Sequence, residues 1–440
     1  MKFDRIIYNG IIVTVNPDFD IIDDGIICIK DGVIHCVETR KHDISKYLAD
    51  EYVNADGGIV MPGLVNAHTH LAMSIFRGLA DDIPLSVWLN DHIFPAEQKH
   101  ISPETVRIGT LLSCAEMLLS GTTTCCDGYF YEDIVAKAVH ETGLRAVLAQ
   151  GVIDFPAPGV PDPKQNVETA MAFVEKWKNR YPLLTPSIFC HSPYTCSAET
   201  LQKSKQAADE LGVRFQIHVA ETKSEFEQIK AEHGVSPVKY LDTLGLLNEN
   251  TIAVHAVWVG EDDIKLLFKN RVNVIHTPES NMKLASGVSP VPEMIAHGIT
   301  VGLGTDGCAS NNNLDLFAEM DSAAKLHKVF TKDPTVMDAK TVVKMVTIEG
   351  AKAIGAGDVI GSLEPGKQAD LIIIDIHKPH LTPIYHPESH VVYAAQGSDV
   401  RDVFVAGKAL LRNHEPVCLD VKEIMKQAAA VGSVVKKNRH

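Results

Sequence analysis

The 440 residues are 45% hydrophobic, which is enough apolar material for one large core plus an added element. A formal charge of −15, from 41 basic and 56 acidic residues, argues against non-specific nucleic-acid binding, which needs Lys and Arg to neutralise phosphates. No apolar run has bilayer-spanning length, Met1-Lys2-Phe3-Asp4-Arg5 opens no apolar signal core, and the nine scattered cysteines read as reduced thiols, so a cytoplasmic protein with no membrane partner is expected.

In chain order, residues 5–15 and 25–36 are rich in β-formers and are interrupted by Asn9-Gly10 and Asp31-Gly32, dipeptides that signal hairpin turns. Residues 369–376 and 400–411 read the same way, with a turn at Ala406-Gly407-Lys408, and 421–431 is a candidate closing helix. The two ends are expected to pair into a small flanking β-sandwich domain, 1–60 plus 363–440. Over 61–362 strands alternate with helices. Strand candidates fall at 59–70, 122–127, 145–154, 185–193, 214–221, 251–259, 272–278 and 299–306. Helical stretches at 103–119, 134–142, 167–179, 198–211 and 224–232 lie between most of them. Such alternation implies parallel crossovers, and eight repeats predict an α/β chain closed into a (β/α)8 TIM-like barrel.

Chemistry in such a barrel gathers at the C-terminal ends of the strands. The first ends in His68 and His70, two apart and therefore on one side of an extended chain, where two imidazoles can grip one divalent cation. Alone, the pair also reads as surface or capping histidines. Later strands end in His191, in His218 with Glu221, in His255, in His276 and in Asp306. Singly, each also reads as a satisfied core histidine or a capping acid. Falling together at strand ends, they predict one site.

Four segments carry a resemblance: PGLVNAHTH at 62–70, HSPYTCS at 191–197, QIHVAET at 216–222 and LGTDGCASNNNLDLF at 303–317. They resemble the amidohydrolase superfamily, and within it the 5-methylthioadenosine/S-adenosylhomocysteine deaminases. The likeness covers nearly the whole chain, including the paired terminal β-segments. It implies metal-dependent hydrolytic deamination of an adenosine-type nucleoside to the inosine analogue plus ammonia. His68, His70 and His218 would be neutral imidazole ligands and Asp306 the fourth ligand. Three nitrogens and a carboxylate suit Zn²⁺, with Fe²⁺ and Mn²⁺ as alternatives. Binuclear relatives usually carry a modified lysine at the end of strand four. Here that strand ends in His191, so one metal is expected.

The resemblance gives Glu221 the proton shuttle to N1 of the purine, general acid–base work typically worth about 10²–10⁴-fold. The plainer reading is a glutamate opening the helix after Thr222-Lys223-Ser224. Glu221 lies three residues after His218, so the shuttle assignment requires the strand to bend as it leaves the barrel. His255 would orient or deprotonate the attacking water together with Asp306; His276 is a further member or a structural histidine. Glu97 matches a position that binds ribose hydroxyls and His191 one that contacts the nucleoside, while Trp88 walls the pocket or packs in the core. Some relatives hold the carboxylate tail of S-adenosylhomocysteine with arginines at the end of strand three and in its loop. The aligned position here is Gln150, and 155–165 has no arginine, only Lys164. A neutral 5′-substituent, as in 5′-methylthioadenosine or adenosine, is therefore the expected preference. The resemblance also implies a homo-oligomer.

The same scaffold serves guanine, cytosine and triazine chemistry and cyclic-amide hydrolysis, which is the alternative use of this metal site. Glu97 and His191 favour a nucleoside, because a sugar needs polar partners of its own. A non-catalytic barrel should lack a ligand, and His68, His70, His218 and Asp306 are all present.

Overall fold

The computed structural model describes residues 2–40 and 43–437. Of the expected flanking domain, residues 1, 41, 42 and 438–440 lie outside the described residues. The chain opens with β1 (Lys2–Val13), β2 (Ile21–Lys30), β3 (Val33–Thr39), β4 (Leu48–Asn54) and β5 (Ile59–Pro62). After Gly63 come β6 (Leu64–Thr69), β7 (Thr122–Tyr129), β8 (Arg145–Val152), β9 (Leu184–Cys190), β10 (Phe215–Val219), β11 (Thr251–His255), β12 (Asn273–His276) and β13 (Val301–Leu303). β14 (Leu371–Ile374), β15 (Val400–Val405), β16 (Lys408–Arg412) and β17 (Glu415–Pro416) follow near the C-terminal end.

β6 to β13 form an eight-stranded parallel sheet in chain order, with helices in the crossovers. β13 returns to β6 through a Thr69–Asp306 bridge and the Asp306 N to His68 O bond of 3.0 Å. β6, β7 and β8 are buried at every position, as strands covered on both faces must be. The crossover helices start where the sequence supplies a cap. Ser102, Ser197 and Thr222 each accept an N–H from the first turn of Pro103–Leu119, Ala198–Leu211 and Lys223–His233. Gly212 and Gly234 end the latter two in the left-handed conformation.

The remaining strands form a second, mixed sheet in the order β17-β16-β15-β14-β5-β1-β2-β3, with β4 beside β1. Two of its hairpins turn on paired left-handed residues, Asp31 (φ 52°) with Gly32 (φ 76°) and Ala406 (φ 46°) with Gly407 (φ 72°). Asn9-Gly10 does not turn the chain. β1 runs straight through it, with Asn9 at φ 59° and the β2 register slipping between Tyr8 and Gly10. The same left-handed tolerance here makes a bulge that passes β1 from β4, alongside Lys2 to Tyr8, to β5, alongside Ile11 and Ile12.

The 59–70 candidate proves to be two strands. β5 lies between β1 and β14 in the outer sheet, and β6 opens the barrel. Gly63 separates them, and a Cβ there would meet the Thr123 side chain at 2.2 Å. The two sheets are also riveted by Arg145 of β8, whose Nε donates to Asp370 Oδ2 (2.8 Å) and whose Nη2 donates to Oδ1 (3.1 Å). The closing helix Val421–Lys437 packs on barrel helices, with Ile424 against Leu111 and Ala138. No described helix is long and apolar enough to cross a membrane.

Candidate metal centre and cleft

His68 and His70 leave the end of β6 on one side, His218 projects from β10, and Asp306 follows β13. One donor atom from each lies within 4.8 Å of the other three. His68 Nε2 is 3.1 Å from His218 Nε2 and 3.5 Å from Asp306 Oδ1, and His70 Nε2 is 3.3 Å from the same oxygen. Burial pushes His68 down to about 4 and His218 well below its ordinary value, with the neighbouring histidines adding to the effect. Both rings are therefore neutral, with a lone pair to offer. Burial alone would raise the Asp306 carboxyl, but the facing His68 and the nearby His70 hold it well below the usual carboxylate range. Facing nitrogens and an ionised oxygen at this spacing are the donor set of a divalent cation. The four residues form a metal site of three histidines and one aspartate.

His70 and Asp306 are held from behind. His70 Nδ1–H donates to Gly128 O (2.7 Å), which leaves Nε2 as the lone pair. Asp127 Oδ1 accepts from Thr69 Oγ1 (2.8 Å) and Leu71 N (2.7 Å), the two chain neighbours of His70. The Ser280 and Ser310 hydroxyls donate to Asp306 Oδ2 at 2.7 and 3.0 Å, so Oδ1 faces the histidines. Asn66 exchanges two bonds with Thr305, at 2.8 and 3.0 Å, and so ties β6 to the residue before Asp306.

Glu221 returns to the metal side because the chain leaves the extended conformation at Ala220, whose φ is 52°. The Glu225 carboxylate accepts from Ala220 N and Glu221 N, each at 2.8 Å. Glu221 Oε2 lies 3.9 Å from His255 Nε2. Burial, and then the charge of Asp306, pushes Glu221 up to about 8, so it carries a proton near neutral pH. His255 Nδ1 lies 2.9 Å from Thr277 Oγ1 and 3.0 Å from the Asn281 amide oxygen, an acceptor that fixes the Nδ1–H tautomer and presents Nε2 to Glu221. Ala220, His255 (φ 74°), Ala256 (φ 44°) and Asp306 (φ 61°) all carry left-handed backbone at strand ends. These residues hold sparsely populated backbone where the polar side chains are aimed.

Over the four ligands opens a cleft of about 550 Å³, within the range of small-ligand sites. Trp88, Glu97, His191, Glu221 and His255 all line it. Trp88 and Glu97 come from one continuous helical segment, in which a wide π-type turn (Trp88–Ile93) leads into Phe94–His100. Glu97 is buried, accepts the Tyr129 hydroxyl at 2.5 Å, and is pushed up to about 7 by burial. His191 Nδ1 lies 2.9 Å from Thr195 Oγ1, and burial pushes the ring down to about 3.

Two expected positions fall elsewhere. Gln150 lies outside the cleft, with its Oε1 accepting from Glu132 N (3.2 Å). The chain that lines the cleft there runs through Gly151, Val152 and Ile153 to Phe155 and Pro156, and no Lys or Arg is among the described lining residues. His276 faces His327, with their Nε2 atoms 3.1 Å apart, and is no part of the cleft. Asp127, Ser280, Thr277 and Asn281 went unforeseen, since ordinary polar residues carry no motif, and Ser310 lies within the 303–317 segment without a role assigned to it. Glu225 left one trace: Thr222-Lys223-Ser224-Glu225 is a capping-box pattern.

Residues 59–410 match the model of the amidohydrolase family. A 5-methylthioadenosine/S-adenosylhomocysteine deaminase of Syntrophobacter fumaroxidans is 44% identical over 435 residues, 99% of each chain. A 5′-deoxyadenosine deaminase of Methanosarcina mazei is 45% identical over 97% of this chain and 96% of its own. The crystal structure of an adenosine deaminase from Xanthomonas campestris with bound zinc has a TM-score of 0.97 and 37% identity, covering 99% of both chains. With that match along its length and this ligand set at the barrel mouth, the chain belongs to the amidohydrolase family.

Proposed function

We propose that this protein hydrolytically removes the 6-amino group of an adenosine-type nucleoside, releasing ammonia and the inosine analogue. The observation that carries the reading is Glu221 placed 3.9 Å from His255 over the four-ligand metal site, in a chain matched along its length at 44–45% identity by nucleoside deaminases. We take the expected unit 61–362 as catalytic, flanked by 1–60 with 363–440, with the first boundary moved to Gly63 because all of β5 lies in the outer sheet. Nine free thiols, seven of them buried, support a cytoplasmic setting, and a homo-oligomer is the family expectation.

His68, His70, His218 and Asp306 would hold one divalent cation, best zinc. When bound, it supplies a Lewis acid that makes water nucleophilic near neutral pH. Asp306 and His255 orient the water and hold its proton. Glu221 delivers a proton to N1 of the purine and then moves one to the departing amine, a poor leaving group until protonated. Acid and base thus flank one carbon, C6. Glu97 accepts from the ribose hydroxyls, His191 contacts the nucleoside, and Trp88 walls the cleft. A 5′ tail in this cleft meets Phe155 and Pro156, and no Lys or Arg is among the described lining residues to pair with a charged one. An unpaired carboxylate is poorly accommodated there, which favours a neutral tail such as that of 5′-methylthioadenosine or 5′-deoxyadenosine over S-adenosylhomocysteine.

Ammonia release from adenosine analogues, guanine, cytosine and a triazine, on metal-depleted and zinc-reconstituted protein, tests this. Activity is expected only on 6-aminopurine nucleosides, lost on depletion and regained with zinc, with kcat/KM higher for 5′-methylthioadenosine than for S-adenosylhomocysteine. Comparable turnover of a free base or triazine would overturn the nucleoside reading. An advantage for S-adenosylhomocysteine would overturn the neutral-tail preference.

A further inference from the structure

We propose that Glu225 is a positioning residue for proton transfer: its carboxylate fixes the backbone turn that aims Glu221. The proposal rests on the reading of Glu221 as the proton carrier.

β10 stays extended to Val219, which would send residues 218 and 221 to opposite faces. The reversal happens at Ala220, in a left-handed conformation that a Cβ disfavours, so something must hold it there. Two consecutive amides, Ala220 N and Glu221 N, leave the ladder at this point. Each is taken by one oxygen of Glu225, at 2.8 Å. A planar carboxylate gripping neighbouring N–H groups sets the orientation of both peptide planes, and hence the direction of the Glu221 side chain.

Glu225 is itself fixed. It is 3% exposed and is the third residue of the helix Lys223–His233, and its N–H donates to the N-cap hydroxyl of Thr222 at 3.2 Å. In an ordinary capping box the third residue reaches back to the N–H of the cap itself. Here it reaches past Thr222 to the two residues before it. The helix start is thus used as a clamp on the catalytic turn. From the other side, Ala220 O accepts from Val257 N (3.0 Å) and Trp258 N (2.8 Å), just after His255. The turn is pinned between the two elements that carry Glu221 and His255. Glu225 does not line the cleft, so it acts through Glu221 and not on the nucleoside.

Glu225→Gln keeps the shape but leaves one acceptor oxygen for two N–H groups. In the zinc-loaded enzyme, kcat for deamination is expected to fall on the order of 10- to 100-fold, with KM and metal content unchanged. In a Glu221→Gln background the same substitution is expected to add no further loss to the residual turnover, because the group it aims has gone. A merely structural role predicts the same fractional loss in both backgrounds, and that result would overturn the proposal. So would wild-type kcat in Glu225→Gln, or a loss accounted for by missing metal or raised KM. If Glu221→Gln itself keeps full turnover, the proton-carrier reading fails and takes this proposal with it; a dead Glu221→Gln beside a normal Glu225→Gln sinks the proposal alone. Glu225→Asp, too short to span both amides, runs the same cycle should the glutamine variant not fold.

Discussion

Glu221 holds its proton because it is buried beside another acid, Asp306. Its pKa is raised, so the acid form persists to about 8 and is lost above it. A general acid that must be protonated in free enzyme then makes kcat/KM fall as pH rises through about 8, with no such fall on the acid side from this group. A pH profile of kcat/KM for 5′-methylthioadenosine checks the sign; a rise through that region would contradict it. Glu221→Gln should retain zinc, by metal analysis, while kcat drops about 10²–10⁴-fold. At this scale the sequence was legible where chemistry restricts residue type. Histidines and an acid at strand ends marked out a metal site because few side chains bind a cation, and the resemblance of their segments singled out His68, His70, His218 and Asp306 among them. Asp127 could not, because its meaning comes from Leu71 N, 56 residues away, and many aspartates look alike.

Between elements, the seam of β6 and β13 decides whether the ligands meet. Gly304, just past β13, lies so close that a Cβ would sit 2.7 Å from His68 N and 3.0 Å from His68 O. Both neighbours are backbone and cannot swing aside. Gly304→Ala is expected to destabilise the fold by about 1–3 kcal/mol and to weaken zinc retention by shifting His68. Thermal melts and metal content after dialysis measure the two effects; a variant as stable and as metal-loaded as the parent would show the seam to be slack. Pro103–Leu119 and Ala198–Leu211 lie at the bounds read from sequence because Ser102, Ser197 and Gly212 write their ends locally. The break is marked only by Pro62-Gly63 inside an otherwise apolar stretch, so β5 and β6 read as one strand. Asn9-Gly10 serves a turn or a bulge equally well, and only the neighbours β4 and β5 decide which.

Across the whole molecule, Arg145 and Asp370 join barrel to outer sheet as a buried ion pair, and Asp370 Oδ1 also accepts from Ala406 N at 2.7 Å. Removing one partner of such a pair strands a buried charge. Asp370→Ala should therefore lower stability by about 3–5 kcal/mol in denaturant titrations, while kcat stays near that of the parent. A large loss of kcat in folded Asp370→Ala would place the pair in the catalytic machinery instead. That the two chain ends build one sheet was readable from their β-rich composition. That Val421–Lys437 crosses to the barrel helices was not, since an amphipathic stripe does not name its partner.

Gly63 is a one-residue hinge pin between two sheets, with His68 five positions downstream. Extended chain alternates faces at every step, so one extra residue spliced at this joint and carried into the strand would swing both imidazoles outward and put Ala67 and Thr69 in their place. Anyone recombining outer sheets and barrels among relatives must therefore transplant 59–70 as an indivisible cassette, cutting at either end of it and never in the middle.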